Sequence, residues 1–399
     1  MPDDPTSSEV GVTITTDPVD VSSLSNDKEV TVTLSTETSG ADIYYTLDGT
    51  TPTKFSNKYS SPLKVETENP FGETIVVKYL GVKEGLTSTS GSKDLVFKGI
   101  KNTPVILMSK SEIEGFDNIQ EAIDKASDDA VIYVNKGSYA EKLAINKNIE
   151  LISYGATLTE GVSITKGEVL IDNFELTGKG ILASNVDKLI LINNTFREIR
   201  ESMTGSPANS IVAVDIHEAA NGPVLISDNV FRGVGEENGT GTAIRMVKAH
   251  HNITITKNII EDVTKNSINL YSGCLSVNNS KLLITDNKIS NWESDMDPPG
   301  EENKEVGGRA IRVDFTGSPE STNVQITGNT FVPPNYPSGQ DPVDPDFVKL
   351  TTMGSIEYDL TNNYWGSEEP DFDTILKVDE KTPDEIKYSP FYTTESMSD

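Results

Sequence analysis

Four charged residues interrupt short β-like segments in the second half of the chain. Asp215 lies within residues 211–216, Arg245 within 243–247, and Arg312 and Asp314 within 310–314. Carboxylates beside guanidinium groups are candidates for proton-transfer chemistry at a substrate. The alternative is a ladder of surface salt bridges between neighbouring strands, which contributes little to stability. Which reading applies depends on the elements that carry the four residues.

Acidic loops offer a second kind of chemistry. Residues 293–302 include Asp295 and Asp297, and residues 341–346 include Asp344 and Asp346. Oxygen-rich loops can hold Ca²⁺, so calcium is the one cofactor that the sequence suggests. Neither loop has EF-hand spacing or the glycine-rich nonapeptide repeat, so solvated acidic loops are the alternative. The pair His250 and His251 likewise suits either a weak metal site or an exposed turn.

The N-terminal quarter contains short β-rich runs separated by turn residues, which predicts a small antiparallel sandwich. In the segment 41–53, a strand with Tyr44 and Tyr45 ends in an Asp-Gly turn followed by Pro52 and Thr53. This segment resembles the chitobiase/β-hexosaminidase C-terminal type of immunoglobulin-like module, over residues 11–99. The resemblance implies an accessory domain of extracellular glycan-active proteins. Tyr44 and Tyr45 are then candidate sugar platforms, with packing in and on the sandwich as the alternative.

A repeated strand is the strongest pattern in the chain. Six segments align on an asparagine, with separations of 35, 29, 29, 42 and 34 residues: Asn194, Asn229, Asn258, Asn287, Asn329 and Asn363. A constant strand with a variable period is typical of a solenoid with loop insertions. We expect each asparagine at a sharp turn, where Asn tolerates left-handed backbone, and we expect the stacked coils to form an Asn ladder. These asparagines are therefore structural rather than catalytic.

A second strand precedes the later repeats and carries the charged residues. The predicted segments are 211–216, 243–247, 275–277, 310–314 and 347–350. Stacking at about 4.8 Å would align their outward residues in one column, namely Asp215, Arg245, Ser276, Arg312 and Lys349. Insertions at 200–209, 235–241, 293–307 and 333–345 lie between the paired strands, where solenoids commonly keep their function.

The start of the solenoid contains a helix and a strand. Apolar residues at 119, 122, 123 and 126 predict one helical face, and residues 130–134 predict a strand. With Gly137-Ser138-Tyr139-Ala140-Glu141, this order resembles the first coil of right-handed parallel β-helices of the pectin-lyase-like superfamily. In that superfamily the helix caps an edge that would otherwise pair with other chains. Residues 362–367, Asn-Asn-Tyr-Trp-Gly-Ser, resemble the closing coil of bacterial and viral surface β-helices.

The enzymes of that superfamily provide tests for activity. The Asn-Thr-Asp, Gly-His-Gly and Arg-Ile-Lys signatures of polygalacturonase-like hydrolases are absent, as is the Gln-Asp-Thr-Leu strand of pectin methylesterases. Pectate lyases use an acidic calcium cluster beside an arginine that removes a proton α to a carboxylate. Asp215, Arg245, Arg312 and Asp314 could resemble that arrangement, which keeps a lyase as an alternative.

The charge balance excludes several partners. With 33 Lys+Arg against 62 Asp+Glu, the net charge of −29 disfavours nucleic acid and anionic lipid. A single cysteine, Cys274, excludes an internal disulfide. No apolar run is long enough for membrane insertion, and the N-terminus does not resemble a signal peptide.

The sequence therefore predicts an all-β protein, an immunoglobulin-like sandwich followed by a right-handed parallel β-helix with an N-terminal helical cap. The expected parts are a tail (1–10), the sandwich (11–99), a linker (100–115), the capped β-helix (116–377) and a closing segment with tail (378–399). The preferred function is a non-catalytic extracellular, cell-surface or virion-surface protein that binds glycans or a host surface. The alternatives are a calcium-dependent polysaccharide lyase or glycoside hydrolase, and a structural coat or scaffold protein. An oligomer is expected to be possible, and a trimer if the protein belongs to a virion.

Overall fold

A computed structural model describes most of the chain. The described residues are 9–25, 28–110, 112–203, 211–217, 222–236, 241–248, 252–264, 266–271, 281–292, 309–315, 323–333, 347–352, 357–378 and 386–393. The chain divides into two compact units, Met1–Pro104 and Val105–Asp399.

The first unit is the predicted sandwich. Its strands are β1 (Thr13–Asp17), β2 (Leu24–Ser25), β3 (Val30–Ser35), β4 (Asp42–Thr46), β5 (Asn57–Lys58), β6 (Leu63–Val65), β7 (Gly72–Val82) and β8 (Thr89–Lys98). A three-stranded sheet, β1-β3-β6, and a five-stranded sheet, β2-β8-β7-β4-β5, each contribute to the unit. Alternating side chains such as Val30, Val32, Val77 and Leu95 are fully buried and form its core.

The second unit begins with a hairpin and a short helix. These elements are β9 (Val105–Met108), β10 (Ile113–Phe116) and α1 (Ile119–Lys125), so the predicted helix is confirmed. Residues 100–115 are not simply a linker, because β9 pairs antiparallel with the first strand of the β-helix, β11 (Ala130–Tyr139). The run 105–108, Val-Ile-Leu-Met, does not alternate between apolar and polar residues, because Val105, Ile106 and Leu107 are all buried.

Three faces of parallel strands make up the rest of the second unit. The first face contains β12 (Leu143–Ile145), β14 (Val162–Ile164), β17 (Ile181–Ser184), β20 (Ile211–His217), β23 (Gly241–Val247), β26 (Asn266–Tyr271), β29 (Arg309–Phe315), β32 (Val348–Thr352) and β34 (Leu376–Val378). The second face contains β15 (Glu168–Asp172), β18 (Lys188–Ile192), β21 (Val224–Ser227), β24 (Ile253–Thr256), β27 (Lys281–Thr285), β30 (Asn323–Thr327), β33 (Glu357–Asp359) and β35 (Ile386–Lys387).

The third face contains β16 (Glu175–Gly178), β19 (Thr195–Ile199), β22 (Val230–Val234), β25 (Ile259–Val263), β28 (Lys288–Trp292) and β31 (Thr330–Val332). The long strand β13 (Ile149–Leu158) pairs with both β15 and β16 and so belongs to the second and third faces together. Helix α2 (Phe372–Ile375) precedes β34. Each coil thus visits the three faces in turn, and the fold is the predicted parallel β-helix.

Alternation along the strands fills the interior. On the second face, residues such as Leu189, Leu191, Ile253 and Ile255 are essentially inaccessible, while their neighbours in sequence are partly exposed. Stacked rings continue the core along the axis: Phe196 and Phe231 have centroids 4.7 Å apart, and Phe331 and Trp365 are 5.0 Å apart. This apolar stack supplies the main stabilisation of the solenoid.

The Asn ladder forms as predicted at the turn between the second and third faces. Each asparagine from Asn194 to Asn329 donates its backbone N–H to the side-chain oxygen of the next, at 2.8–3.0 Å. Each side-chain N–H₂ group bonds to that same oxygen and to a backbone carbonyl of the preceding coil, as from Asn258 to Ile226 at 2.9 Å. All six asparagines are at most 1 % exposed.

The left-handed backbone, however, belongs to the residue before each ladder asparagine. Positive φ angles between 55° and 72° occur in the column Asn193, Asp228, Lys257, Asp286, Gly328 and Asn362. The ladder asparagines themselves are not in this conformation. The side-chain amide is therefore required for hydrogen bonding, and the preceding residue makes the turn.

Candidate functional site

A column of polar residues runs along the outward side of the first face, and we call it the polar strip. In register across neighbouring strands it consists of Asp215, Arg245, Asn269, Arg312 and Lys349. The third member is Asn269, not the predicted Ser276, because the first-face strand of that coil is β26 and not residues 275–277. Ser276 itself lies outside the described residues.

The strip is more deeply buried than a surface ladder would be. Asp215 is 0 % exposed, Arg245 5 % and Lys349 4 %. The ladder interpretation therefore holds for the ion pair of Asp215 and Arg245 on neighbouring coils, but not for its surface position, because the pair is buried. The cause is that β20 and β23 are buried on both sides along most of their length, which alternation alone does not reveal. Arg312 and Asp314 are intermediate, with side chains 31 % and 20 % exposed.

The buried end of the strip is a closed charge cluster. Arg245 donates from Nε and Nη2 to the two carboxylate oxygens of Asp215, at 2.8 and 2.5 Å. The His217 imidazole lies beside the same carboxylate, with Nε2 2.6 Å from Oδ1, but the direction of the ring N–H does not make this contact a hydrogen bond. Burial alone raises the pKa of Asp215, but its contacts with His217 and Arg245 outweigh burial and lower that pKa below its usual value of 3.8. Asp215 is thus an ionised structural anchor rather than a proton donor at neutral pH.

The section of the strip around Asn269 and Arg312, which we call its open end, leaves polar atoms unpaired. Asn269 Oδ1, Arg312 Nε and Asp314 Oδ1 are buried atoms without a hydrogen-bond partner. The distance from Arg312 Nη2 to Asp314 Oδ2, 3.8 Å, is an ion-pair distance but is too long for a hydrogen bond. On β26 the side-chain oxygens of Asn266 and Ser267 are unpaired as well. Native proteins rarely leave so many buried polar groups unsatisfied, and ordered water or a polar ligand would supply the missing hydrogen bonds.

The open end offers two hydrogen-bond acceptors and one donor, and a hydroxyl group can bond to either kind. A hydroxyl donates to Asn269 Oδ1 or Asp314 Oδ1 and accepts from Arg312 Nε. Because Asn269 and Arg312 are neighbours in register, their backbones lie about 4.8 Å apart. A small polar group placed between them would therefore contact both side chains.

The two tyrosines of the sandwich do not form a joint platform. Tyr44 pairs with Leu80 and Lys58, and Tyr45 pairs with Tyr79 and Asn57. Neighbouring residues of a strand point to opposite faces of a sheet, so one sugar ring cannot stack on both. Each tyrosine is half-buried.

The remaining predicted site residues cannot be placed. Asp295, Asp297, Asp344, Asp346, His250 and His251 lie outside the described residues. Within the described ranges, no three His, Cys, Asp or Glu side chains are grouped so that they could hold a metal ion. Neither helix found in that part of the chain is long and apolar enough to cross a membrane.

Sequence reasoning missed four residues in or beside the polar strip: His217, Asn266, Ser267 and Asn269. His217 follows Asp215 by two residues on one strand, and that spacing could have indicated a shared face. Asn266 and Asn269 had no such signal, because the strand that carries them was placed about nine residues too late. Their polar side chains interrupt the apolar alternation by which a strand is recognised.

Comparison with known proteins gives a family match within the first unit. Residues 22–93 match the family described as the chitobiase/beta-hexosaminidase C-terminal domain. A cell surface glycoprotein of Methanothermus fervidus is 36 % identical over 93 residues, which are 21 % of this chain and 16 % of that protein. The chain therefore aligns with about one sixth of the length of this curated relative. No solved structure matches.

Proposed function

We propose that this is a cell-surface protein whose β-helix binds a glycan at the open end of the polar strip. The observation that carries the proposal is the set of unpaired buried atoms on Asn269, Arg312 and Asp314. The similarity of one segment to a cell surface glycoprotein, and of the first unit to a domain family named after sugar-cleaving enzymes, supports a role at the surface and near carbohydrate.

The direct test is a glycan array probed with the full chain and with Arg312→Ala. The matched control is Arg197→Ala, which removes an arginine from the exposed Arg197–Glu175 ion pair of the third face. We expect Arg312→Ala to lose at least tenfold in affinity for the bound glycan and Arg197→Ala to retain it. Absence of any bound glycan, or equal losses in the two variants, would contradict the proposal.

A polysaccharide lyase or hydrolase acting along the same face is the second candidate, and one observation favours it. Arg312 is not fixed by a hydrogen bond to Asp314, whereas both oxygens of Asp215 already accept from Arg245. Incubation with acidic and neutral polysaccharides, with and without Ca²⁺, would detect new reducing ends or unsaturated uronates. Turnover that Arg312→Ala abolishes would replace the binding function with an enzymatic one.

Location on a virion, a purely structural coat role and membership of the β-helix in the pectin-lyase-like superfamily remain further proposals. Capsid or tail genes beside the coding gene would favour the virion, and polysaccharide-utilisation genes would favour a cell surface. A chain that binds no glycan in any form would favour the coat.

A further inference from the structure

Four Asn-x-Ser/Thr triplets occur in the β-helix, and the fold does not present them equally. They begin at Asn193, Asn238, Asn252 and Asn278. Such a triplet is the acceptor sequence for N-linked glycans where the asparagine lies at the surface. Short triplets arise often by chance, so the sequence alone selects none of the four. Asn238 and Asn278 lie outside the described residues, which leaves Asn193 and Asn252 for comparison.

Asn252 is exposed and lies directly before β24, which begins with Ile253 and Thr254. Its carbonyl accepts from the backbone N–H of Val224 at 2.9 Å, so the backbone here continues the pairing of the strand. Ile253 is 1 % exposed and points into the core, so the residues on either side of it point outward. The amide of Asn252 and the partly exposed hydroxyl of Thr254 are therefore presented together on one side.

The two polar atoms of the Asn252 side chain have different roles. Oδ1 accepts from the backbone N–H of Lys281 on the next coil at 2.9 Å, which fixes the direction of the amide. Nδ2 makes no hydrogen bond to any residue in the described part of the chain. A substituent on Nδ2 therefore leaves the structural hydrogen bond to Oδ1 intact and extends into solvent.

Asn193 differs from Asn252 on each of these points. Its backbone is left-handed, with a φ of 57°, at the turn between the second and third faces. Its Nδ2 already donates to the carboxylate of Asp172 on the preceding coil at 2.9 Å. The middle residue of this triplet, Asn194, is a buried member of the ladder, and Thr195 begins the third face. A corner of the coil thus separates the amide of Asn193 from the hydroxyl of Thr195.

We propose that Asn252 carries an N-linked glycan and that Asn193 does not. The donor is an oligosaccharide joined to a lipid through a phosphate or diphosphate group. Nδ2 of Asn252 forms a bond to the anomeric carbon of the first sugar, and the bond from that carbon to the phosphate oxygen breaks. Nδ2 loses one proton, and the lipid phosphate leaves. The product retains Oδ1, so the hydrogen bond from Lys281 is kept.

Glycopeptide mass spectrometry tests this inference on the full chain isolated from the cells that naturally produce it. We expect a glycan on Asn252 and none on Asn193. Thr254→Val removes the hydroxyl of the triplet but keeps Asn252 and a β-branched residue, so it should abolish the modification. Thr254→Ser restores the triplet and should retain the glycan. Thr195→Val, the matched change in the other triplet, should leave the glycan mass unchanged.

Three outcomes would overturn the inference: an unmodified Asn252 in the wild type, a glycan that persists on Asn252 in Thr254→Val, or glycan mass lost in Thr195→Val. If Thr254→Val does not fold, Asn252→Asp removes the acceptor nitrogen but keeps an oxygen for the N–H of Lys281, and it should also lose the glycan. Because Thr254 is not part of the polar strip, Thr254→Val should bind the glycan array as the wild type does, so this test and the glycan-binding test fail separately.

Discussion

The Asn ladder and the polar strip both place polar side chains in columns along the same coils, but they treat hydrogen bonding differently. In the ladder each amide oxygen from Asn229 onward accepts two bonds from the preceding asparagine, as Asn258 does from Asn229 at 3.0 and 3.1 Å. In the strip the amide oxygen of Asn269 accepts none. The amides of Asn258 and Asn269 both lie in register with neighbouring strands of a parallel stack. Stacking alone therefore does not provide hydrogen bonds for a side-chain amide.

The difference separates a structural column from a candidate site. A buried polar group that is fully bonded stabilises one register of the coils. A buried polar group without a partner destabilises the free protein and is retained where a ligand completes it. Polarity within the fold is thus an uninformative marker of function, and a group of unpaired atoms on neighbouring strands is a more informative one.

The sharpest test of this contrast is to remove one amide from each column. Asn258→Ala removes the acceptor of the Asn229 backbone N–H and the donor to the carbonyl of Ile226, at a cost of about 4 kcal/mol. Asn269→Ala removes an unpaired oxygen and should cost less than about 1 kcal/mol. Urea unfolding followed by tryptophan fluorescence measures both, because Trp292 and Trp365 are the only tryptophans and lie buried in the β-helix. Equal costs would contradict the distinction.

A substitution at the closed end of the strip should destabilise the protein as one in the ladder does, and more than one at the open end. Asp215→Ala leaves the guanidinium of Arg245 buried without its carboxylate, which we expect to cost about 3 kcal/mol. The double variant Asp215→Leu, Arg245→Met should recover at least half of that loss, since it removes both charges. A single variant with wild-type stability in the same unfolding assay would show that the pair is not structural.

The ionised state of Asp215 gives the strip a dependence on pH. Its pKa is lower in the folded protein than in the unfolded chain, so its contribution is present above about pH 4 and is lost as pH falls through the folded pKa. The stability difference between wild type and Asp215→Asn should therefore narrow below pH 4, by at most about 1.4 kcal/mol per pH unit. A difference that grows as pH falls below 4 would contradict the assignment.

The smallest expected change in stability comes from a substitution at the turn that precedes each ladder asparagine. Lys257 adopts a φ of 55° in a column otherwise filled by Asn, Asp and Gly. Lys257→Gly should relieve this strain and stabilise the β-helix by about 0.5–1 kcal/mol. The control Thr254→Gly, in extended backbone of the same coil, should destabilise it. If Lys257→Gly also destabilises, the lysine makes contacts that outweigh the strain.

The ladder could be predicted from sequence because its signal is local. A strand of alternating apolar residues ends in Asn six times, and one turn geometry explains each occurrence. The sandwich and the helix at Ile119–Lys125 are likewise encoded by short-range period and turn residues. In these regions local preference and global fold agree, so the elements were placed correctly.

The strip could be predicted only in part because its environment is not local. Asp215, Arg245, Arg312 and Lys349 lie on apolar strands and were aligned correctly, whereas Asn269 lies on Asn-Ser-Ile-Asn-Leu-Tyr, a strand fixed by pairing with its neighbours. Nothing in residues 211–216 indicates that both sides of the strand are buried. The bond from Arg245 to Asp215 joins residues 30 apart, so it depends on the coil register.

The helical cap has a consequence for polymer growth. The Gln120 side chain accepts from the backbone N–H of Ala144 at 2.8 Å and donates to its carbonyl at 3.2 Å, so one amide imitates a neighbouring strand. Glu141 accepts from the N–H groups of Ile119 and Gln120 and fixes the helix that presents this amide. The terminal strand β12 thus has the backbone of Ala144 already engaged. By occupying these hydrogen-bonding groups, Gln120 blocks the edge at which β12 could pair with a strand of another molecule, so this strand cannot start the growth of a fibre.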